Sequence, residues 1–98
     1  GLDKVQIEGT FSSKAVKHFA GTDLDTLKTR TEVCSVTNTC TNLPITETGF
    51  LEVFMYDSTS QWVMQRFTAI GYPNVSNQGR TFVRNWMANN TWSAWVEK

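Results

Sequence analysis

Apolar and polar positions along this 98-residue chain follow the two-residue period of strands far more than the 3.6-residue period of helices. Residues 50–57 (Phe-Leu-Glu-Val-Phe-Met-Tyr-Asp) and 61–70 (Gln-Trp-Val-Met-Gln-Arg-Phe-Thr-Ala-Ile) are rich in β-branched and aromatic side chains. The polar turn Asp57-Ser-Thr-Ser60 joins them, which predicts a β-hairpin. In its second strand Trp62, Met64 and Ile70 alternate with Val63, Phe67 and Ala69, so neither face is polar. That pattern predicts a central strand covered on both sides. Residues 80–87 predict another strand, with Phe82 and Trp86 beside Arg84 on one face and Val83 and Met87 on the other. The loop between, 71–79, is bounded by glycines. Asn89-Asn90 turns the chain, and residues 92–96 return as a last short strand.

Upstream, residues 32–37 predict a strand, and Pro44 confines the loop 39–45 to an edge or connection. Ser12-Ser13 ahead of Lys-Ala-Val-Lys-His-Phe (14–19) predicts a single helical turn with serine as its cap. Residues 21–27 (Gly-Thr-Asp-Leu-Asp-Thr-Leu) predict a tight loop or a 3₁₀ turn, and Val5 and Ile7 suit an extended lead-in. The expected class is all-β: a small antiparallel sheet or sandwich with one short helical turn. Residues 1–19 form a lead-in and residues 20–98 the β-rich domain.

Size and charge narrow the partners. One domain of this length buries roughly 60–65% of its unfolded surface, so a monomer is feasible but thinly stabilised and oligomerisation would help. Nine basic and nine acidic residues cancel, which disfavours nucleic acid and anionic membranes as partners. No apolar run is long enough to span a membrane, and the first residues do not form a signal peptide. Gly1 without a methionine suggests a cut fragment of something longer.

Catalytic chemistry finds little support. Asp23 and Asp25, with Glu52 and Asp57, are the acids a sugar-cleaving enzyme would need, but none sits in a catalytic signature. Loop aspartates mostly cap backbone amides. His18 is the only histidine, which leaves no zinc ligand set and no Ser-His arrangement of known spacing; no phosphate-binding glycine loop occurs. No catalytic residue, metal or cofactor is expected. Cys34 and Cys40 bracket five residues and are expected as free, half-buried thiols, with a disulfide as the alternative.

The aromatic and arginine residues are the remaining candidates. Trp62, Trp86, Trp92 and Trp95, with Tyr56 and Tyr72, could stack sugar rings, with Arg66 and Arg84 donating hydrogen bonds. Trp62 and Trp86 lie inside strands and are expected to fill the core. Trp92 and Trp95, three apart, should project to opposite faces, one buried and one meeting solvent or a neighbouring subunit. Arg66 and Arg84 should stack on aromatic rings or pair with a carboxylate such as Glu52 or Glu97. The candidate binding set, for a glycan or a subunit interface, is Trp92, Trp95, Arg84 and Tyr72.

Six segments in order carry a resemblance: residues 21–27, Asn-Leu-Pro (42–44), Gly-Phe-Leu-Glu-Val (49–53), Trp-Val-Met-Gln-Arg-Phe (62–67), Arg-Thr-Phe-Val-Arg (80–84) and Trp-Ser-Ala-Trp (92–95). Together they resemble the knob-like domains of bacteriophage tail fibres, tailspikes and appendages, and of phage-tail-like bacteriocins. The Cys34/Cys40 loop departs from that pattern. The resemblance implies an antiparallel β-fold in a homotrimeric fibre, often near its C-terminal end. It further implies a place in the virion, synthesis in the host cytoplasm and a bacterial surface polysaccharide as a possible partner. A free-standing carbohydrate-binding domain with a tryptophan shelf, or a domain that registers three chains during assembly, are the alternative readings.

Overall fold

A computed structural model describes residues 14–59 and 61–98. They form one seven-stranded sheet: β1 (Lys17–Phe19), β2 (Glu32–Val36), β3 (Thr48–Met55), β4 (Val63–Tyr72), β5 (Thr81–Met87), β6 (Thr91–Trp92) and β7 (Val96–Glu97). Strands β1 to β5 lie side by side in chain order, and β6 and β7 share the free edge of β5. Every pairing is antiparallel except β1 with β2. The chain is therefore all-β, with two 3₁₀ turns, Leu24–Thr26 and Val75–Asn77, as its helical elements among the described residues.

The hairpin β3–β4 pairs Phe54 with Met64 and Glu52 with Arg66, the register the polar turn implies. Residues 17–19 form a strand rather than part of a helical turn, because Lys17, His18 and Phe19 pair in register with Cys34, Ser35 and Val36. The sheet thus starts inside the segment read as a lead-in, whose residues 1–13 lie outside the described residues. The 21–27 segment does close as a 3₁₀ turn, capped by the Asp23 side chain accepting from the Asp25 N–H (2.9 Å).

Only one face of the sheet is covered. Cys34, Val36, Leu51, Val53, Val63, Phe67, Ala69 and Phe82 point to that inner face, where Leu24 and Cys40 from the loops complete the core. Leu27, Leu43, Ile45, Trp86, Trp92 and Trp95 close its margins. Strand β4 is central, but it is covered on one side, not two: Val63, Gln65, Phe67 and Ala69 are buried while Met64, Arg66, Thr68 and Ile70 stay at least partly exposed. Loops 20–31 and 37–47 supply one lid only, and among the described residues no loop reaches the other face. Trp62 follows this outer face. It is 44% exposed and meets Tyr56 edge-on (5.3 Å between centroids) instead of filling the core.

Both cysteines are buried free thiols, more buried than expected. The Cys34 thiol lies against the Leu51 carbonyl (3.6 Å), and burial pushes its pKa from 9.0 up to about 11. The unfolded chain would lose this proton first. Stability from the group is therefore intact below about pH 9 and lost as the pH rises through about 11. Urea midpoints at pH 8 and pH 10.5 should show an alkaline loss about 2 kcal/mol larger in the native chain than in Cys34→Ala. Equal losses would show that Cys34 ionises as easily folded as unfolded.

Candidate functional site

The polar cluster of the inner face is organised around Arg84 on β5. Its partner in the β4–β5 ladder is Gln65, and both side chains are buried, Arg84 at 5% exposure. The Arg84 Nε donates to Gln65 Oε1 (2.9 Å), while Gln65 Nε2 donates to the carbonyls of Leu24 (2.8 Å) and Leu27 (2.9 Å). Gln65 thus clips the 3₁₀ turn to the sheet and holds the guanidinium at the same time. Arg84 Nη1 forms a close ion pair with Asp25 (2.8 Å), while Nη2 has no hydrogen-bond partner among the described residues. Burial pulls the Arg84 pKa down, and the adjacent Asp25 carboxylate pulls it back.

Two indole rings enclose the guanidinium, 4.1 Å from the Trp92 centroid and 4.6 Å from that of Trp95. The expected opposition of these two tryptophans is absent, and strand register explains why. Trp86 pairs with Trp92, and Val83 with Val96, so two residues of β5 face three on the returning segment. This one-residue bulge shifts the side-chain parity and brings both rings to the inner face. Ser93 fills the break: its N–H donates to the Asn85 carbonyl (2.7 Å) and its hydroxyl accepts from the Asn85 N–H (2.9 Å). Asn90 supplies the preceding turn in a left-handed conformation, φ 62°.

Each indole also ties a loop. Trp92 Nε1 donates to the Asp25 carbonyl (3.2 Å) and Trp95 Nε1 to the Asn42 carbonyl (2.9 Å). Asp23 completes the cluster by accepting from Asn42 Nδ2 (2.6 Å); that bond and the Asp25 N–H hold its pKa below the usual carboxylate range. Trp86 packs edge-on to Trp92 at 5.6 Å, at the core margin as expected of a core-filling residue. Of the four candidate binding residues, Arg84, Trp92 and Trp95 therefore come together. Tyr72 stands apart, 65% exposed, seven residues along β4 from Gln65, or roughly 23 Å.

The other candidates for chemistry have structural partners. Glu52 accepts two hydrogen bonds from Arg66 (2.7 and 2.8 Å), which hold its pKa low, and Asp57 accepts from the Thr59 N–H and hydroxyl. Glu97 pairs with Arg80 in the same two-pronged way (2.8 and 2.7 Å). His18 Nδ1 meets Ser35 Oγ at 2.7 Å on the outer face, with no carboxylate bonded to His18 among the described residues. No group of three His, Cys, Asp or Glu residues that could hold a metal occurs among them either.

The aromatic feature that strand patterning did not single out is on the outer face. Phe54, Tyr56, Trp62, Met64, Asn85 and Met87 line a hollow of about 330 Å³ at the turn end of the β3–β4 hairpin. The hairpin register and the β4–β5 ladder put these six side chains on one face, a juxtaposition that alternation along a single strand does not reveal.

Known structures share this fold. An N-truncated R2-type pyocin tail fibre overlays with a TM-score of 0.67 at 19% identity, covering 89% of this chain and 33% of that one. C-terminal fragments of the R2 and R1 pyocin fibres of P. aeruginosa overlay at 0.66 and 0.68, with 21% and 16% identity, each covering 94% of this chain. The chain shares its fold with segments of pyocin tail fibres. It spans 24% and 23% of the R2 and R1 fragments, so the likeness concerns one segment of each fibre. No family model and no curated protein sequence matches the chain.

Proposed function

We propose that this chain is a non-catalytic structural and recognition domain of a phage tail fibre or a phage-tail-like bacteriocin fibre. In this reading it is carried in a homotrimer, caps the fibre and contributes to attachment at the bacterial surface. The observation that carries the reading is the overlay of nearly the whole chain on segments of two pyocin fibres. The acidic residues support a structural role: Asp23, Asp25, Glu52, Asp57 and Glu97 are each engaged by a neighbouring group. Arg84, Trp92 and Trp95 brace the returning hairpin against two loops, so the clamp serves the fold first. Of the four candidate binding residues, Tyr72 is the one whose exposure suits contact with a surface polysaccharide.

Antibodies against the chain, applied to tail particles purified from the strain that encodes it, test the placement. Gold label at fibre ends is the expected result; particles that carry no label would overturn the reading. Binding of the purified chain to whole cells, competed by their surface polysaccharide and weakened by Tyr72→Ala, would extend it to attachment.

A further inference from the structure

We infer that the uncovered outer face of the sheet is the surface through which copies of this chain associate. The inference rests on the homotrimer proposed above and locates its seam. Strand register places Val33, Phe50, Phe54, Tyr56, Trp62, Met64, Ile70, Val83, Met87 and Val96 in adjoining rows of this one face. Phe50, Phe54, Tyr56 and Trp62 are 46%, 38%, 75% and 44% exposed. With aromatic side chains of about 150–250 Å² each, these four alone leave roughly 400 Å² open. That already approaches the largest apolar patch of an ordinary monomer, and half of the ~800 Å² each partner contributes to a standard interface.

Three features select a second copy as the occupant. First, the face is electrically self-neutral: within the strands its carboxylate Glu52 and its guanidinium Arg66 are bonded to each other. Identical faces repel when they carry unpaired charge, and this one does not. Second, four of its polar side chains are already partnered within the chain, His18 with Ser35 and Thr68 with Thr81, so covering them strands few hydrogen-bonding groups. Third, the protruding Tyr56 borders the 330 Å³ hollow, giving the patch both a projection and a recess that a neighbouring copy can fill. A saccharide fits the hollow less well. Asn85, the Tyr56 hydroxyl and the Trp62 indole N–H are its polar side-chain groups among the six lining residues named, few against the many hydroxyls of a saccharide that burial would leave to be satisfied.

Sedimentation of the purified chain up to about 100 μM tests the seam, using Phe54→Glu and Met64→Glu on the face and Val75→Glu off it, in the exposed 3₁₀ turn. The native chain and Val75→Glu should form trimers. The two face variants should dissociate at least about tenfold more readily while keeping a native near-ultraviolet circular dichroism spectrum. Should the face variants fail to fold, labelling of Tyr56→Cys decides. Its thiol should react at least about tenfold more slowly in concentrated than in dilute solution. A native chain that stays monomeric removes the seam and the trimer together. Trimers unaffected by the face variants, or Tyr56→Cys labelling independent of concentration, overturn the seam and leave the fibre reading standing. Saturable binding of a saccharide to the monomer, abolished by Trp62→Ala, would assign the hollow to that ligand instead.

Discussion

Gln65→Leu should cost about 3–5 kcal/mol, a large share of the stability a 98-residue domain normally has. The side chain is fully buried and makes three hydrogen bonds, to the carbonyls of Leu24 and Leu27 and to Arg84 Nε. Leucine fills the volume but leaves the Leu27 carbonyl and one cationic donor without a partner, each worth about 1–3 kcal/mol, and the Leu24 carbonyl with the Leu27 N–H alone. Coupling to Arg84 provides the sharper check. In Arg84→Met the guanidinium that Gln65 must satisfy is gone, so Gln65→Leu should cost at least about 1 kcal/mol less in that background. Urea titration of the native chain, both single variants and the double variant gives the cycle. Additive losses would mean that Gln65 serves the 3₁₀ turn alone and that Arg84 is held by its tryptophans and Asp25.

That cluster also marks how far the sequence could be read. The strands, the hairpin turn and the all-β class were legible, because alternation and turn residues are local signals. The pairing of Arg66 with Glu52 and the stacking of Arg84 on indole rings were among the expected outcomes, since cross-strand neighbours follow from a plausible register. The common fate of Trp92 and Trp95 was not legible. Parity along a strand assumes an uninterrupted ladder, and the extra residue opposite Arg84 and Asn85 inverts it. Residues 14–19 misled for a related reason: a three-residue strand is too short to show a period, and its pairing with β2 is a long-range decision.

The two faces of β4 show the same division between local and assembled information. Met64, Arg66, Thr68 and Ile70 give it a mixed outer face that reads as half buried, while the described residues cover only the inner one. A strand written for two covers but given one by the described residues fits the proposed homotrimer, in which a neighbour would supply the second. The acids read the same way from the opposite direction. Asp23, Asp25, Glu52 and Asp57 sat in no catalytic signature, and each is engaged by a loop amide, hydroxyl or arginine that only the folded chain brings near.

Gly49→Ala is expected to destabilise the chain by about 3 kcal/mol, several times the effect of most surface changes. Gly49 lies buried on the inner face of β3, where the β3–β4 register shifts between Thr48 and Gly49. A methyl group there would run into the Thr68 carbonyl oxygen and come within 2.8 Å of two carbons of the Phe67 ring. Neither obstacle can yield cheaply. The carbonyl belongs to the backbone of the central strand, and the Phe67 ring is fully buried against Phe82 at 6.5 Å between centroids. A change of conformational preference is not the cause, because the crowding comes from neighbouring atoms and not from a left-handed backbone. Trimming the ring should therefore relieve part of the clash. In Phe67→Leu, itself destabilising, the added Gly49→Ala should cost at least about 1 kcal/mol less than it does in the native chain. Equal costs in the two backgrounds would assign the whole penalty to the Thr68 carbonyl and to displacement of β4 from β3.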